Sequence, residues 1–224
     1  MNFTNEQIEK IVNEMFPGMT FYYRDADLSE EIIEKYKHRQ VIRNGIFLDV
    51  SGLGGKLVKN TRFLIASNKA VPLFQINPEV AKWSLHTINV NTYFQVIDII
   101  KENGKTQILL IQIPKEGVPL FQSAWINLLD NIVQKGKESF EQKKQLDPIP
   151  ALQEEDWLKR TEFPIGLNIE NEFFELFPEE SNSEKPNQPV GENKESKIEN
   201  AADSKRKTEE KKRNFWSKLF GKNI

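Results

Sequence analysis

Apolar side chains recur every three or four residues near the start of the chain, which predicts an amphipathic α-helix. Thr4 or Asn5 can cap its first turn, and Pro17-Gly18 ends it. Asp27-Leu-Ser-Glu30 has the form of a capping box and predicts a second helix that continues toward Lys37. The apolar face of the first helix consists of Ile8, Ile11, Val12, Met15 and Phe16.

Short apolar runs rich in β-branched residues predict strands in the middle of the chain. Ile46 to Val50 and Thr61 to Ala66 are two such runs. The clearest signal lies between Tyr93 and Ile113, where two runs meet at Asn103-Gly104, a dipeptide typical of a two-residue hairpin turn. We therefore expect a β-hairpin over this range.

A turn at Asn103-Gly104 predicts the pairing of the two strands. Asp98 then lies opposite Leu109, and the other predicted pairs join apolar residues. Because both faces of the hairpin are largely apolar, we expect it inside a sheet that is covered on both sides. The predicted apolar pairs are Phe94 with Ile113, Val96 with Ile111, Ile97 with Leu110, and Ile99 with Ile108.

A long helix is predicted to start at Pro119 and to cover one face of that sheet. Its later turns, Lys135 to Gln145, are strongly charged, so we expect them to project past the core until Asp147-Pro148 ends the helix. Its apolar stripe consists of Phe121, Ala124, Trp125, Leu128, Leu129, Ile132 and Val133.

The segment from Asp147 to Phe177 mixes aromatic residues with many glutamates. We expect it to fold back onto the core, because so much aromatic surface is seldom left exposed. The alternative is that Glu170 to Glu180 forms a short acidic and aromatic interaction motif.

The pentapeptide Val-Pro-Leu-Phe-Gln occurs twice, at Val71 to Gln75 and at Val118 to Gln122. The residues that follow diverge, since Asn77-Pro78 can start a short helix toward Trp83 whereas the second copy opens the long helix. The repeat is therefore only a weak indication of a duplicated unit.

These elements predict an α+β fold with one domain, in which a sheet containing the hairpin packs against a long amphipathic helix. We expect the domain to span residues 1–177. Residues 178–208 are polar and lack the apolar surface needed for a core, which predicts a disordered linker. Residues 209–224 form a basic amphipathic segment that we interpret as a docking helix.

Composition narrows the possible chemistry. The chain contains no cysteine, which excludes disulfides, thiolate nucleophiles and Cys-based metal sites. The first residues carry glutamates where a signal peptide needs a basic start, and no run is apolar enough to span a bilayer. We therefore expect a cytoplasmic protein, possibly peripheral on the inner face of the membrane, and no cofactor.

Charge is distributed unevenly. Ser204 to Ile224 contains eight Lys or Arg and two Glu, a balance of +6, so a total of -2 leaves -8 for residues 1–203. An acidic domain argues against nucleic acid as a partner, and the basic end favours an anionic partner there.

The glycine-rich stretch Ser51-Gly-Leu-Gly-Gly-Lys56 resembles a phosphate-binding loop in composition but not in spacing. Gly52 lies too close to Gly55 for a P-loop, and Leu57 follows Lys56 where that motif needs Ser or Thr. Leu57 also stands where the dinucleotide fingerprint needs a third glycine. We expect a loop in which the glycines adopt positive φ.

Catalytic signatures are weak. His38 and His86 lie in no recognisable motif, although Ser51, Ser84 or Ser123 could meet a histidine in space. Asp98 would be a candidate site if it were buried, but we expect a solvated position near the strand edge. Asp25 and Asp27 could suggest a metal site, yet capping explains Asp27 and nothing nearby completes a ligand set.

The C-terminal tip combines large apolar side chains with a basic border. On a helical wheel, Phe215, Trp216, Leu219 and Phe220 share one arc beside lysines, which suits a helix lying on an anionic membrane. The candidate docking residues are Lys211, Lys212, Arg213, Phe215, Trp216, Lys218, Leu219, Phe220 and Lys222.

Glu209 to Gly221 (EEKKRNFWSKLFG) resembles the C-terminal membrane-targeting helices of the Min-system ATPase MinD and, more loosely, of the division protein FtsA. The resemblance covers thirteen residues and implies a membrane tether without ATPase activity. A protein groove, including this protein's own surface, or an inert end are the alternatives.

Two functions follow as hypotheses. The first is a non-enzymatic cytoplasmic binding module whose tip docks reversibly on an anionic membrane or a partner. The second is an enzyme, for example a hydrolase, with a site near Ser51 to Lys56, His86 and Asp98. Convergence of these three features on one pocket would favour the enzyme.

Overall fold

A computed structural model describes residues 3–124 and 126–178. The helices are α1 (Asn5–Met15), α2 (Glu30–Ile33), α3 (Val118–Ser123), α4 (Leu128–Lys144) and α5 (Glu155–Arg160). The strands are β1 (Thr20–Ala26), β2 (Val41–Asn44), β3 (Leu48–Ser51), β4 (Thr61–Ser67), β5 (Val71–Pro72), β6 (Leu85–Ile88), β7 (Thr92–Glu102) and β8 (Lys105–Ile113). Short 3₁₀-helices lie at Leu73–Gln75, Pro78–Trp83, Lys115–Gly117 and Pro150–Gln153.

The strands form one mixed sheet of eight in the order β2-β7-β8-β4-β1-β3-β6-β5. β4 and β8 pair in parallel, and the other neighbouring strands pair in an antiparallel manner. Helices and a mixed sheet in one domain confirm the predicted α+β class.

Apolar residues cover both faces of the central strands, as expected for the hairpin. Along β4, Phe63 and Ile65 belong to one core cluster, whereas Leu64 and Ala66 belong to the other. This alternation follows from the two-residue period of a strand. Helices α1, α3 and α4 cover the second face, and residues of α2 pack on the first.

Helix α1 starts as predicted. Thr4 is its N-cap, and Thr4 and Gln7 exchange the two hydrogen bonds of a capping box. Ile11 and Met15 are buried against the sheet.

The second helix is shorter than predicted and has a different cap. α2 covers only Glu30–Ile33, and the side chain of Ser29, not Asp27, accepts the hydrogen bond from the Ile32 amide. Asp27 instead accepts hydrogen bonds from Lys59 Nζ and from the Asn60 amide. The helix ends early because the chain must turn into β2, where Arg39 N–H bonds to the Val96 carbonyl.

The hairpin forms, but three of its five predicted pairs are wrong. Asp98 lies opposite Leu109 and Ile99 opposite Ile108, as predicted. A β-bulge between Val96 and Asp98 then shifts the pairing by one residue, so that Val96 faces Leu110 and Phe94 faces Gln112. The extra residue keeps Ile97 in the core cluster under the helices.

The predicted long helix is two helices. α3 ends at Ser123 because Ala124 is extended, with φ -133° and ψ 154°, and α4 starts at Leu128. The charged later turns do not overhang the core, since Gly136, Ser139 and Phe140 are buried. A Cβ on Gly136 would lie 2.6 Å from Leu109 Cδ2, which shows how closely α4 packs on β8.

The last part of the domain folds back onto the core, as predicted. Trp157, Ile165 and Leu167 are buried, and Phe173 packs on the first core cluster. We call residues 165–177 the strap, because this segment runs along the outer edge of β2, where Phe174 and Arg43 form an isolated antiparallel bridge.

The two copies of Val-Pro-Leu-Phe-Gln adopt different structures. The first forms β5 and a 3₁₀-helix, whereas the second forms most of α3. The short helix predicted from Asn77-Pro78 to Trp83 is confirmed as a 3₁₀-helix with Asn77 as its N-cap.

The predicted linker and the candidate docking residues between Lys211 and Lys222 lie outside the described residues. Within residues 3–124 and 126–178, no helix is both long enough and apolar enough to cross a membrane.

Two neighbouring aspartates on β1 and after it form ion pairs of different character. Asp25 binds Arg62 through two hydrogen bonds of 2.7 Å, and the Arg62 side chain is 2% exposed. Asp27 binds Lys59 at 2.7 Å with its own side chain 57% exposed.

Asp25→Ala should lower the free energy of unfolding by about 3 kcal/mol, because it leaves the buried Arg62 guanidinium without its partner. The matched variant Asp27→Ala should cost at most about 1 kcal/mol, because solvent screens that pair. Urea denaturation of both variants measures the difference. Equal effects would contradict the assignment of Arg62–Asp25 as the structural pair.

Tyr36 links the strap to the core through a buried hydrogen bond from its hydroxyl to the Ile165 carbonyl at 2.7 Å. Burial raises the pKa of the Tyr36 phenol well above its ordinary value, and the nearby Arg24 charge opposes this only in part.

The stabilising contribution of Tyr36 should be lost as the pH rises into strong alkali. A tyrosine in the unfolded chain ionises near pH 10 while the folded phenol stays protonated, so the stabilisation is complete below about pH 10 and falls above it. Tyr36→Phe should cost about 1 kcal/mol at pH 7 and should flatten this decline. Unfolding curves at pH 7 to 11 measure both effects, and an unchanged decline in Tyr36→Phe would refute the role of Tyr36.

Candidate functional site

The glycine-rich loop connects β3 to β4, and none of its glycines adopts the positive φ that we expected. Close contact explains them instead. A Cβ added to Gly52 would lie 2.7 Å from Ser84 Oγ. One added to Gly54 would lie 2.5 Å from the Tyr23 ring, and one added to Gly55 would lie 2.8 Å from the Asp147 carbonyl oxygen. The loop thus packs against three different parts of the chain, and it leads to a strand, not to the helix that a phosphate-binding loop precedes.

Two of the three candidate serines have structural roles. Ser51 Oγ is buried, donates to the Trp83 carbonyl at 2.7 Å and accepts from the Leu53 amide at 2.9 Å. Ser123 Oγ donates to the Pro119 and Leu120 carbonyls at the end of α3. Neither hydroxyl is positioned to act as a nucleophile.

The ladder between β3 and β6 brings His86 to the glycine loop. Val50 pairs with His86, and the Gly52 amide continues the ladder by donating to the Ser84 carbonyl at 3.0 Å. The loop and the histidine are far apart in the sequence, so this contact depends on the sheet.

His86 is held in one tautomer. Its Nδ1 lies 2.8 Å from the Ser84 carbonyl oxygen, and a carbonyl oxygen can only accept, so Nδ1 carries the proton. In the neutral ring Nε2 then has a free lone pair. Among the described residues Nε2 has no hydrogen-bond partner.

Aromatic rings flank His86 on two sides. The Tyr22 ring centroid lies 4.8 Å from that of His86 at a tilt of 57°, and the Phe74 ring lies 5.3 Å away, edge to face. These contacts fix the plane of the imidazole. Because Gly52 has no side chain, the space beside the imidazole stays open. A Cβ at position 52 would lie 3.3 Å from His86 Cε1.

Ser84 lies beside this space in a left-handed backbone conformation, with φ 43° and ψ 50°. This conformation is uncommon for serine, and such residues often occur at functional sites. A Cβ added to Gly52 would lie 2.7 Å from Ser84 Oγ and 3.3 Å from His86 Cε1. These two atoms are therefore at most about 6 Å apart. The Ser84 hydroxyl forms no hydrogen bond to another described residue.

Asp98 does not belong to this site. The strands β8, β4, β1 and β3 lie between β7 and β6, which corresponds to about 24 Å at the usual strand spacing. The expected solvated position near a strand edge is met only in part, since Asp98 is half-buried. β7 is an inner strand, and Asp98 Oδ2 is buried without a hydrogen-bond partner among the described residues.

The other candidates for catalysis or metal binding are dispersed. His38 is exposed in a turn, and Asp25 and Asp27 are paired with Arg62 and Lys59. In the described part of the chain, no three His, Cys, Asp or Glu side chains lie close enough to hold a metal ion.

An open cleft of 420 Å³ lies elsewhere, between the end of β1 and the residues that lead into the strap. A second cleft of 270 Å³ adjoins it through Asp27 and Glu162. We place the candidate site at His86 and not in this cleft, because His86 combines an oriented base with a nearby hydroxyl that no other described residue holds. The larger cleft is lined by Asp27, Leu28, Ser29, Ile32, Glu162, Phe163, Pro164 and Asn171.

Sequence reasoning grouped the glycine loop and His86 in one candidate site, but it added Asp98, which lies elsewhere, and named Ser84 only as one of three serines that could meet a histidine. The proximity of Ser84 and His86 in the sequence was the available signal. The contact of Gly52 with both could not be found, because it needs the β3–β6 register.

No protein-family model and no curated protein matches the chain. Among solved structures, the type III effector XopAI from Xanthomonas axonopodis pv. citri is 15% identical, with 43% of this chain and 42% of that chain covered and a TM-score of 0.38. The ADP-ribosyltransferase HopU1 of Pseudomonas syringae pv. Tomato DC3000 is 12% identical, with 42% and 45% covered and a TM-score of 0.35. Exoenzyme S from Pseudomonas aeruginosa, solved with human 14-3-3 protein beta and carba-NAD, is 12% identical, with 59% and 70% covered and a TM-score of 0.39.

These matches correct our first functional hypothesis. Proteins named ADP-ribosyltransferases are enzymes, so the prediction of a non-enzymatic module is wrong. Docking of the tip on a membrane or a partner stays a prediction. The chain spans less than half of the length of the first solved structures that it matches. With TM-scores below 0.5, the likeness assigns no reaction, substrate or cofactor to this chain.

Gly52→Ala should displace Ser84 and His86, because the new methyl group would lie 2.7 Å from Ser84 Oγ. We expect a loss of about 1 to 3 kcal/mol in stability, as for other overpacked sites, and a changed NMR shift of the His86 ring protons. Lys56→Ala, at an exposed position in the same loop, is the control and should change neither. An unshifted His86 signal in Gly52→Ala would show that the loop does not shape the site.

Proposed function

We propose that the chain is an enzyme in which His86 is a general base and Ser84 a nucleophile, and that it hydrolyses or transfers the acyl group of a small ester or thioester. The observation that carries this proposal is the hydrogen bond between His86 Nδ1 and the Ser84 carbonyl oxygen. It leaves Nε2 as the unprotonated nitrogen of a ring whose Cε1 lies within about 6 Å of a serine hydroxyl that no other described residue holds.

The reaction follows from these two groups. Ser84 Oγ attacks the carbonyl carbon of the substrate while its proton passes to His86 Nε2. The protonated Nε2 then gives that proton to the departing alcohol or thiol, and the acyl group remains on Ser84. Water, deprotonated by Nε2, attacks the acyl group in the second half-reaction and releases the acid and the Ser84 hydroxyl.

The surroundings support these roles. The Ser84 side chain is free to rotate about its Cα–Cβ bond, because its hydroxyl forms no bond to another described residue. The rings of Tyr22 and Phe74 hold the imidazole plane and provide apolar surface for an acyl group.

His86→Gln and Ser84→Ala should each lower the rate of p-nitrophenyl acetate hydrolysis by at least about 100-fold. Glutamine retains an N–H donor for the Ser84 carbonyl but cannot accept a proton, so the first variant removes the base and keeps the contact. Ser123→Ala and His38→Gln are matched controls and should retain the wild-type rate.

Two further measurements separate the roles. A fluorophosphonate probe should label wild-type Ser84, as identified by peptide mass spectrometry, and imidazole in the buffer should restore part of the activity of His86→Ala. If the wild-type protein hydrolyses no ester and takes up no probe, the proposal is refuted. Activity in Ser84→Ala but not in His86→Gln would refute Ser84 as the nucleophile and leave His86 as a base for water.

A further inference from the structure

The open cleft of 420 Å³ between the end of β1 and the residues that lead into the strap has the lining of a small-ligand site. Leu28 and Ile32 are buried residues that contribute apolar surface to it, and Phe163 contributes an aromatic side chain that is 41% exposed. Apolar surface with a few polar groups is the usual composition of a site for a small organic molecule. The polar lining residues are Asp27, Ser29, Glu162 and Asn171.

The two chain segments that form the cleft are each held by side-chain hydrogen bonds to their backbone. The Asn60 side chain accepts from the Leu28 amide at 2.9 Å and donates to the Leu28 carbonyl at 2.7 Å. On the other side, the buried Arg24 guanidinium donates to the Arg160 carbonyl at 3.1 Å and to the Phe163 carbonyl at 2.9 Å. The cleft is thus formed before a ligand enters, which lowers the entropic cost of binding.

Two polar side chains in the cleft have no hydrogen-bond or ion-pair partner within residues 3–124 and 126–178. These are the Glu162 carboxylate and the Asn171 side-chain amide, and both residues are exposed. Ser29 Oγ accepts from the Ile32 amide, so its hydroxyl proton is still available for donation. A ligand can bind these groups without breaking a hydrogen bond inside the protein.

The charged residues that line this cleft are both acidic, namely Asp27 and Glu162. Lys59 and Lys159 line the adjoining cleft instead. Lys59 pairs with Asp27 at 2.7 Å, and Lys159 pairs with a glutamate one turn earlier in α5 at 2.6 Å. Arg24 attracts the Glu162 charge without forming an ion pair with it. The Glu162 carboxylate is therefore the group to which a bound cation can add a direct ion pair.

We propose that this cleft binds a small organic cation that carries an apolar group. The ammonium group donates charge-assisted hydrogen bonds to Glu162 and is attracted by Asp27. The apolar group packs on Phe163 and on the aliphatic surface beside it. An anion of the same shape is rejected, because its charge would face two carboxylates. The proposal does not depend on the function proposed for His86 and assigns no reaction to the cleft.

Phenethylammonium is a probe with this chemistry, and phenylacetate is its control, since the two have nearly the same shape and opposite charges. Each is titrated into the isotope-labelled full chain and followed through the backbone amide signals by NMR. We expect saturable shifts of the cleft-lining residues by the cation, with a Kd of about 1 mM, and none by phenylacetate. Added salt should weaken the binding, because it screens the carboxylates.

Glu162→Gln should weaken binding of the cation about fivefold, because it removes the charge and keeps the size of the side chain. Phe163→Ala should also weaken it, and this variant retains the backbone carbonyl that Arg24 holds. Glu116→Gln is the matched control. Glu116 is exposed in the 3₁₀-helix that precedes α3, so its variant should bind like the wild type.

The inference is overturned if the cation causes no saturable shift in the cleft, or if phenylacetate binds as tightly. It is also overturned if Glu162→Gln and Glu116→Gln bind the cation equally well. Cation-specific shifts in the cleft that weaken in Glu162→Gln support it, whether or not the protein hydrolyses esters. Amide signals outside the cleft show that each variant keeps the fold.

Discussion

Burial of the central strands on both faces is the constraint on which the remaining structure depends. Phe63, Leu64, Ile65 and Ala66 on β4 are all fully buried, as are Ile108, Leu110 and Ile111 on β8. A sheet with two apolar faces needs a cover on each side, which α1, α3 and α4 supply on one and α2 with the strap on the other. The edges need protection too. β5 is only two residues long and contains Pro72, while the strap follows β2.

The sequence predicts the parts of this fold whose cause is local. The capping box of α1 and the turn at Asn103-Gly104 each depend on residues within a few positions, and both are confirmed. Tertiary packing decides the rest. The bulge at Ile97 keeps that side chain under the helices, and the break at Ala124 separates α3 from α4, although the apolar stripe continues across it. Periodicity reports which side chains are apolar, but not where the backbone must bend to bury them.

The candidate site shows the same limit. Ser84, His86 and Gly52 are ordinary residues in the sequence, and the β3–β6 ladder brings them together. The glycines of the loop suggest a conformational need from composition alone, whereas contacts with Ser84, Tyr23 and Asp147 account for them. Asp98, by contrast, was predicted near His86 but lies elsewhere in the sheet. Its position opposite Leu109 is predictable, but the order of the strands places it far from His86, and strand order depends on long-range pairing.

The two copies of Val-Pro-Leu-Phe-Gln show that a short identical sequence does not imply a common structure. One copy lies at the sheet edge with Val71 43% exposed, and the other contains Val118 fully buried inside a helix. Five identical residues thus have neither conformation nor environment in common within a single domain. For this chain, matching pentapeptides in other proteins carry no structural information until the elements that surround them also correspond.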